Sequence, residues 1–195
     1  MEGSQVIADA HRLAGSFSPL PPPEARPAII VVSGLPGTGK SYFCRRLAER
    51  SPFVILESDA LRKQLFPTPT YSATESTHLF RTIYYLIEEL LKKGTPVILD
   101  ATNLAERHRE RIYSIAEHVN ARLILVRIEA PPELVQKRLK SRMKRPNSDD
   151  NSDADWTVYQ KMKATAEKIN RRHFTVDTSR DITPVIDKIV REANR

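Results

Sequence analysis

The chain has 195 residues and a mass of 22.2 kDa, room for one domain with a sizeable core. It has a single cysteine, Cys44, which excludes an internal disulfide, and no apolar run of about 18 residues that would cross a bilayer. The net charge is +7 and the pI about 9.6, and the excess is local: residues 104–145 hold eleven Lys/Arg against five Asp/Glu, while the remainder is close to neutral. A basic segment of this kind suits ATP, a phosphorylated substrate or nucleic acid, although a solvated helix face has the same composition. The N-terminus lacks an apolar leader, so the expected compartment is the cytoplasm, with no membrane partner.

Residues 1–27 read as an N-terminal Pro-rich appendage. Val6, Ile7, Ala10 and Leu13 are spaced for one short amphipathic helix, and Pro19, Pro21, Pro22, Pro23 and Pro27 stiffen the lead that follows. The domain proper is expected over 28–195. Residues 28–32 are an apolar strand, and a helix follows over 40–50, with Cys44 at a buried or half-buried position. A strand at 53–56 precedes helices at 59–66 and 75–93, with the loop 67–76, which carries Tyr71 and Ser72, between them. Then come a strand at 97–99, a helix at 104–119, a strand at 123–126 and a helix at 131–143. The polar run 146–152 breaks the pattern and is the best candidate for a mobile loop, within a lid at about 138–155. A helix at 154–171, a short strand at 173–176 and a helix at 182–193 complete the chain. This alternation predicts an α/β fold, a parallel five-stranded sheet with helices on both faces.

Between the first strand and the first domain helix, Gly34-Leu35-Pro36-Gly37-Thr38-Gly39-Lys40-Ser41 fits G-x-x-x-x-G-K-[ST] at every fixed position. Glycines let backbone N–H groups curl around a phosphate, and the helix N-terminus adds partial positive charge. Lys40 is spaced to reach the β/γ-phosphates of a nucleoside triphosphate, and Ser41 to ligate Mg²⁺. In a parallel sheet, ligands sit beyond the carboxyl ends of the strands, so the residues just after each strand are the next candidates. Asp59 follows the second strand and suits a base that takes the proton of an attacking hydroxyl; it equally suits a helix cap, as does Ser58. Arg62 lies one turn on, where it can hold an anionic group of the acceptor. Asp100 ends the third strand as a Walker B acid does, orienting Mg²⁺ directly or through water, or it makes a strand-end turn. Thr102 and Asn103 either contact substrate or cap the next helix. Arg138 and Arg142 share a helix face and precede the polar run, placed to close over ATP and neutralise the transferring phosphoryl group. Arg107, Arg109 and Arg111 lie on another helix, where one suits substrate contact and most read as surface. His78, His108 and His118 show no metal-ligand spacing. Trp156 and Tyr159, at i and i+3, suit helix packing better than base stacking.

Taken as a set, residues 34–41, Glu57-Ser58-Asp59-Ala60-Leu61-Arg62, Asp100-Ala101-Thr102-Asn103 and the Arg138/Arg142 pair resemble the P-loop kinases grouped with polynucleotide 5′-hydroxyl kinases. The likeness is to the kinase modules of bacterial RNA-repair enzymes and to small ATP-binding kinase-like proteins, and it covers about residues 28–175. It implies a P-loop kinase fold with an arginine-bearing lid. Lys40 and Ser41 would serve phosphate and Mg²⁺, Asp59 would be the general base, Arg62 would grip the phosphate beside the acceptor 5′-hydroxyl, and Arg138 and Arg142 would be the lid arginines. Ala101 separates Asp100 from Thr102-Asn103, unlike the phage-type pattern and closer to the bacterial one. The expected activity is transfer of the ATP γ-phosphate to a hydroxyl, with an RNA or DNA 5′ end as the favoured acceptor. The alternatives are a small-molecule kinase for a sugar, nucleoside or antibiotic, and a slow ATPase acting as a nucleotide-dependent binding module. No motif separates ATP from GTP or fixes an oligomeric state.

Overall fold

Residues 28–32 are buried on both sides, so the first strand must run through the middle of a covered sheet. It does so in the computed structural model, which describes residues 2–143 and 152–195. The strands are β1 (Ala28–Ser33), β2 (Val54–Glu57), β3 (Val97–Asp100), β4 (Arg122–Glu129) and β5 (Phe174–Asp177), all parallel in the order β2-β3-β1-β4-β5. The α/β class and the five-stranded parallel sheet expected from the sequence are therefore present. Register sets the site: Val32 lies beside Asp100 on β3 and Val126 on β4, so the loop that leaves β1 emerges level with Asp100.

The helices are α1 (Glu2–Ala14), α2 (Lys40–Ala48), α3 (Ser58–Leu65), α4 (Ala73–Lys92), α5 (Glu106–His118), α6 (Pro132–Met143), α7 (Trp156–Thr165) and α8 (Thr183–Ala193). Alternation along the strands divides the core in two. Ile29, Val31, Val97 and Leu99 face α4 and α5, packing on Leu79, Ile83, Ile112 and Tyr113. Ala28, Ile30, Val32 and Ile98 face α2 and α8, packing on Phe43, Leu47, Ile186 and Ile189. Cys44 lies in this second layer, where burial pushes its thiol well up and leaves it protonated.

Two segments differ from the sequence reading. Helix α1, expected within an appendage, packs on the α4 layer. In α1, Ala10 and Leu13 are fully buried in the α4 layer, and Asp9 binds the His78 ring of α4 at 2.8 Å. Helix α7 ends at Thr165, not near 171, because tertiary contacts take over the next residues. The Glu167 N–H donates to Leu104 O at 3.0 Å, and the Lys168 carbonyl accepts from Arg109 at 2.8 Å. Most of the polar run 146–152, and so the middle of the expected lid, lies outside the described residues. No helix among the described residues is long and apolar enough to cross a membrane.

Candidate functional site

The phosphate loop is held from three sides. Gly34 donates its N–H to Thr102 O at 3.1 Å, and a Cβ there would meet Ile128 O of β4 at 2.6 Å. Gly37 (φ 75°) and Gly39 (φ 95°) take left-handed backbone, which glycine alone adopts without strain. Leu139 and Val135 of α6 fill the space where a Gly37 side chain would begin, and Thr178 and Arg138 do so at Gly39. Pro36 and Thr38 are buried, and Leu35 packs against Val135, Leu139 and Tyr159 of the α6–α7 pair. Trp156 stacks on Tyr159 with centroids 4.7 Å apart, in the packing role expected for both. The Leu35 carbonyl gathers Thr38 Oγ1 at 2.8 Å and Lys40 Nζ at 3.2 Å.

Lys40 opens α2 between two carboxylates. Burial lowers its ammonium below the ordinary lysine value, and Asp100 and Asp59 pull it back up. Burial raises both acids in turn, while Lys40 opposes the rise in each. Asp100, 3 % exposed at the end of β3, is hydrogen-bonded to Ser41, and its Oδ2 has no partner among the described residues. A buried carboxylate oxygen without a donor, next to a hydroxyl, fits a divalent cation or its water. Asp59 falls in the first turn of α3. Glu57 occupies the cap position and makes no capping bond, so Asp59 is not a cap; its carboxylate is turned toward Lys40, Ser152 and Arg62.

The expected lid arginines sit apart in role. Arg138 Nη1 donates to Thr178 Oγ1 at 2.8 Å and Thr38 O at 3.2 Å, and Nη2 donates to Thr178 O at 3.1 Å, tying the phosphate loop to the β5–α8 turn. Arg142 is near enough to act on the Lys40 charge, and its Nη1 donates to Ser152 O at 3.2 Å. Thr102 and Asn103 serve as scaffolding. The Thr102 carbonyl accepts from Gly34, and Asn103 Nδ2 donates to Val32 O at 2.7 Å from a left-handed backbone at φ 46°. Ala105, not Asn103, stands at the cap position of α5. Arg109, expected on the surface, is fully buried; it donates to Asn103 O at 2.6 Å and Glu106 Oε2 at 2.7 Å as well as to Lys168 O, bracing the β3–α5 loop.

Arg62 departs most from its expected role. It is buried and paired with Glu75 of α4 through Nη1, and Nη2 donates to Ser76 Oγ at 3.3 Å. Glu75 also accepts from Thr70 N at 2.7 Å, Thr70 Oγ1 at 2.8 Å and Tyr71 N at 3.2 Å. Burial raises this carboxyl, but its donors outweigh burial and hold it at about 2. The sequence carried a local sign of this corner: Ser72 and Glu75 have S-x-x-E spacing, and Ser72 does cap α4 by accepting from Glu75 N at 3.2 Å. Nothing local marks Thr178, whose partners Thr38 and Arg138 are distant in the chain.

A parallel sheet in the order β2-β3-β1-β4-β5, a phosphate loop after β1 and an acid at the end of β3 define a P-loop kinase fold, a nucleotide-binding fold. Residues 29–169 match the AAA domain family AAA_33, and the chain belongs to that family. UPF0200 proteins of Saccharolobus islandicus and Saccharolobus solfataricus are 28 % identical over 139 residues, covering 64 % of this chain and 70 % of theirs. Kti12 of Chaetomium thermophilum, solved with ADP-AlF3, superposes with a TM-score of 0.69 at 20 % identity, over 85 % of this chain and 98 % of that one. Mycobacterium tuberculosis APS kinase CysC, solved with AMPPNP and APS, gives 0.63 at 17 % identity over 89 % and 100 %. A gluconokinase of Sinorhizobium meliloti 1021 gives 0.56 at 22 % identity over 87 % and 91 %. At these identities the structural likeness is one of fold.

Proposed function

We propose that the chain is an ATP-dependent phosphotransferase that moves the γ-phosphate to a hydroxyl, with the 5′-hydroxyl end of RNA or DNA as the favoured acceptor. The observation that carries this reading is the position of Asp59. It is released from capping, turned toward Lys40, and raised by burial toward the range where a carboxylate is an effective base. In the step proposed, the acceptor hydroxyl gives its proton to Asp59 as its oxygen bonds to the γ-phosphorus. The bond from that phosphorus to the bridging oxygen of ADP breaks, and ADP leaves. Backbone N–H groups of the phosphate loop that are not already engaged, together with Lys40, hold the phosphates, and Arg142 adds positive charge on the lid side. Ser41 and Asp100 would hold Mg²⁺, which neutralises phosphate charge when bound; no stand-alone cluster of His, Cys, Asp or Glu occurs among the described residues, so such an ion would lean on the nucleotide as well. Nucleotides in the Kti12 and APS kinase structures support the donor assignment. Exposed Arg107, Arg111, Lys137 and Lys140 support an anionic, extended acceptor.

One observation favours a small-molecule kinase instead. Arg62, the expected grip on an acceptor phosphate, is engaged by Glu75, and two of the structural neighbours are an APS kinase and a gluconokinase. Incubation with γ-labelled ATP, Mg²⁺ and 5′-hydroxyl oligonucleotides, beside a metabolite panel read by ADP release, decides between them. Label on the oligonucleotide 5′ end is the expected result. No label on DNA, RNA or mononucleotides removes the acceptor claim, and ADP release driven by a metabolite establishes the second reading.

A further inference from the structure

Tyr71 stands in the acceptor corner without a part in the chemistry above. Its backbone has φ 55°, the left-handed region that a bulky L-residue enters only under constraint. The constraint is visible. Glu75 accepts the N–H groups of Thr70 and Tyr71, and the same carboxylate is paired with buried Arg62. The Arg62 guanidinium lies over the tyrosine ring, 4.8 Å from its centroid. Yet Tyr71 is 47 % exposed. With one face covered by a fixed cation, that exposure belongs to the ring edge and the opposite face. The hydroxyl donates to Asp153, which Lys63 Nζ also reaches at 3.6 Å, and the Asp59 carboxylate is among the charges that act on the hydroxyl. A buried ion pair and three hydrogen bonds thus present one open aromatic face beside the proposed base. Backbone strain that the surroundings over-determine in this way clusters at ligand clamps.

We propose that Tyr71 is the platform of an acceptor subsite that takes a nucleobase, stacked on the open face of the ring so that the attached sugar hydroxyl reaches Asp59. The subsite rests on the phosphotransferase reading only for the placing of that hydroxyl. The choice of a flat ligand follows from the chemistry of the rim. A polyol needs free donors and acceptors, whereas Tyr71 Oη, Lys63 and Asp153 already serve one another. A ring lying on a guanidinium offers a face, and every nucleobase can stack on it.

The test uses the full chain with ADP, Mg²⁺ and a 5′-hydroxyl dinucleotide whose first base is 2-aminopurine, whose fluorescence is quenched on stacking; transfer from ATP is measured in parallel. Tyr71→Phe keeps the ring, while Tyr71→Gly removes it and relieves the left-handed backbone, so this variant should fold with a thermal midpoint no lower than the parent. Tyr71→Phe should bind within about twofold of the parent, and Tyr71→Gly should bind about fivefold or more weakly and lose the quench. ATP hydrolysis without acceptor should be unchanged in both. Parent-like binding and quenching by Tyr71→Gly overturns the subsite, as does an equal loss in Tyr71→Phe, which would assign the effect to the hydroxyl. Ring-dependent quenching without transfer keeps the subsite and overturns the phosphotransferase reading. Transfer indifferent to Tyr71 does the reverse, and neither binding nor transfer overturns both.

Discussion

On the donor side of the cleft, the groups that would meet a phosphate are mostly backbone N–H groups of one loop, shaped by Gly37 and Gly39 and seated on the first turn of α2. The proposed acceptor side is built of side chains instead: Asp59 and Arg62 from α3, Tyr71 from the following loop, Glu75 from α4 and Asp153 from beyond α6. A site made of backbone depends on conformation and on what packs behind it. A site made of side chains depends on pairs, and removing one member strands the other. The two halves should therefore fail differently.

The largest effect is expected on the acceptor side at Asp59. Asp59→Asn should lower phosphoryl transfer by about 10²–10⁴-fold, the usual contribution of a positioned base, while ATP still binds. Initial rates and an ATP titration on the same sample check this. Lys40→Met should instead weaken ATP binding and transfer together. The pH profile gives a second handle. Burial raises Asp59 above the ordinary 3.8, and only its unprotonated form accepts a proton. The acid limb of kcat/KM should thus lie on the high side of an ordinary aspartate, falling as pH drops and Asp59 takes up its proton.

The next effect is on stability. Arg62→Ala leaves the Glu75 carboxylate buried without its cation, and the thermal midpoint should fall on the order of 10 °C. The pH dependence carries a definite sign. Glu75 is held at about 2 in the folded chain against 4.5 for the free group, so its contribution is complete above 4.5 and is lost as pH falls from there toward 2. Urea midpoints across that window should drop for the parent protein and stay flatter for Glu75→Gln. An acid transition unchanged by Glu75→Gln would mean that other carboxylates govern it.

The same contrast explains what could be read from the sequence. The phosphate loop was legible because its spacing is its structure, and the strands because short apolar runs between helical patterns leave few alternatives. Asp59 was legible as a base or a helix cap, and the choice between the two was not, since it depends on Glu57 taking the cap position. Arg62 was read as a grip on an acceptor anion and Arg109 mostly as surface, and neither reading held the partners that bury them, Glu75 for one and the carbonyls of Asn103 and Lys168 for the other. Burial of a cation is decided by such distant pairs, which periodicity does not encode. The packing of α1 was hidden likewise. Val6, Ala10 and Leu13 mark an apolar stripe, but only α4 shows where it goes.

A smaller effect should come from the donor side without touching the acceptor side. Gly37→Ala would put a Cβ 2.9 Å from Leu139 Cγ and 3.0 Å from Val135 Cγ1, on a backbone at φ 75°. Displacing α6 and straining the loop should cost about 1–3 kcal/mol in urea unfolding and weaken ATP binding. Nucleobase binding at Tyr71 should stay at the parent level. A parallel loss of both would show that α6 couples the two halves.

The smallest expected effect tests whether the acceptor half extends to the N-terminal helix. Asp9 accepts from Arg12 at 2.9 Å and meets the His78 ring at 2.8 Å, and His78 lies one turn beyond Glu75 on α4. His78 also packs edge-on to Phe66, at the end of α3, with centroids 6.0 Å apart. Asp9→Asn keeps the shape and removes the charge, and should lower the thermal midpoint by about 2–4 °C. If α1 only covers the core, ATP affinity and acceptor KM will both stay at parent values. If it also steadies α4 beneath Glu75, acceptor KM alone will rise, because the donor loop has its own supports in α6, β4 and Thr178.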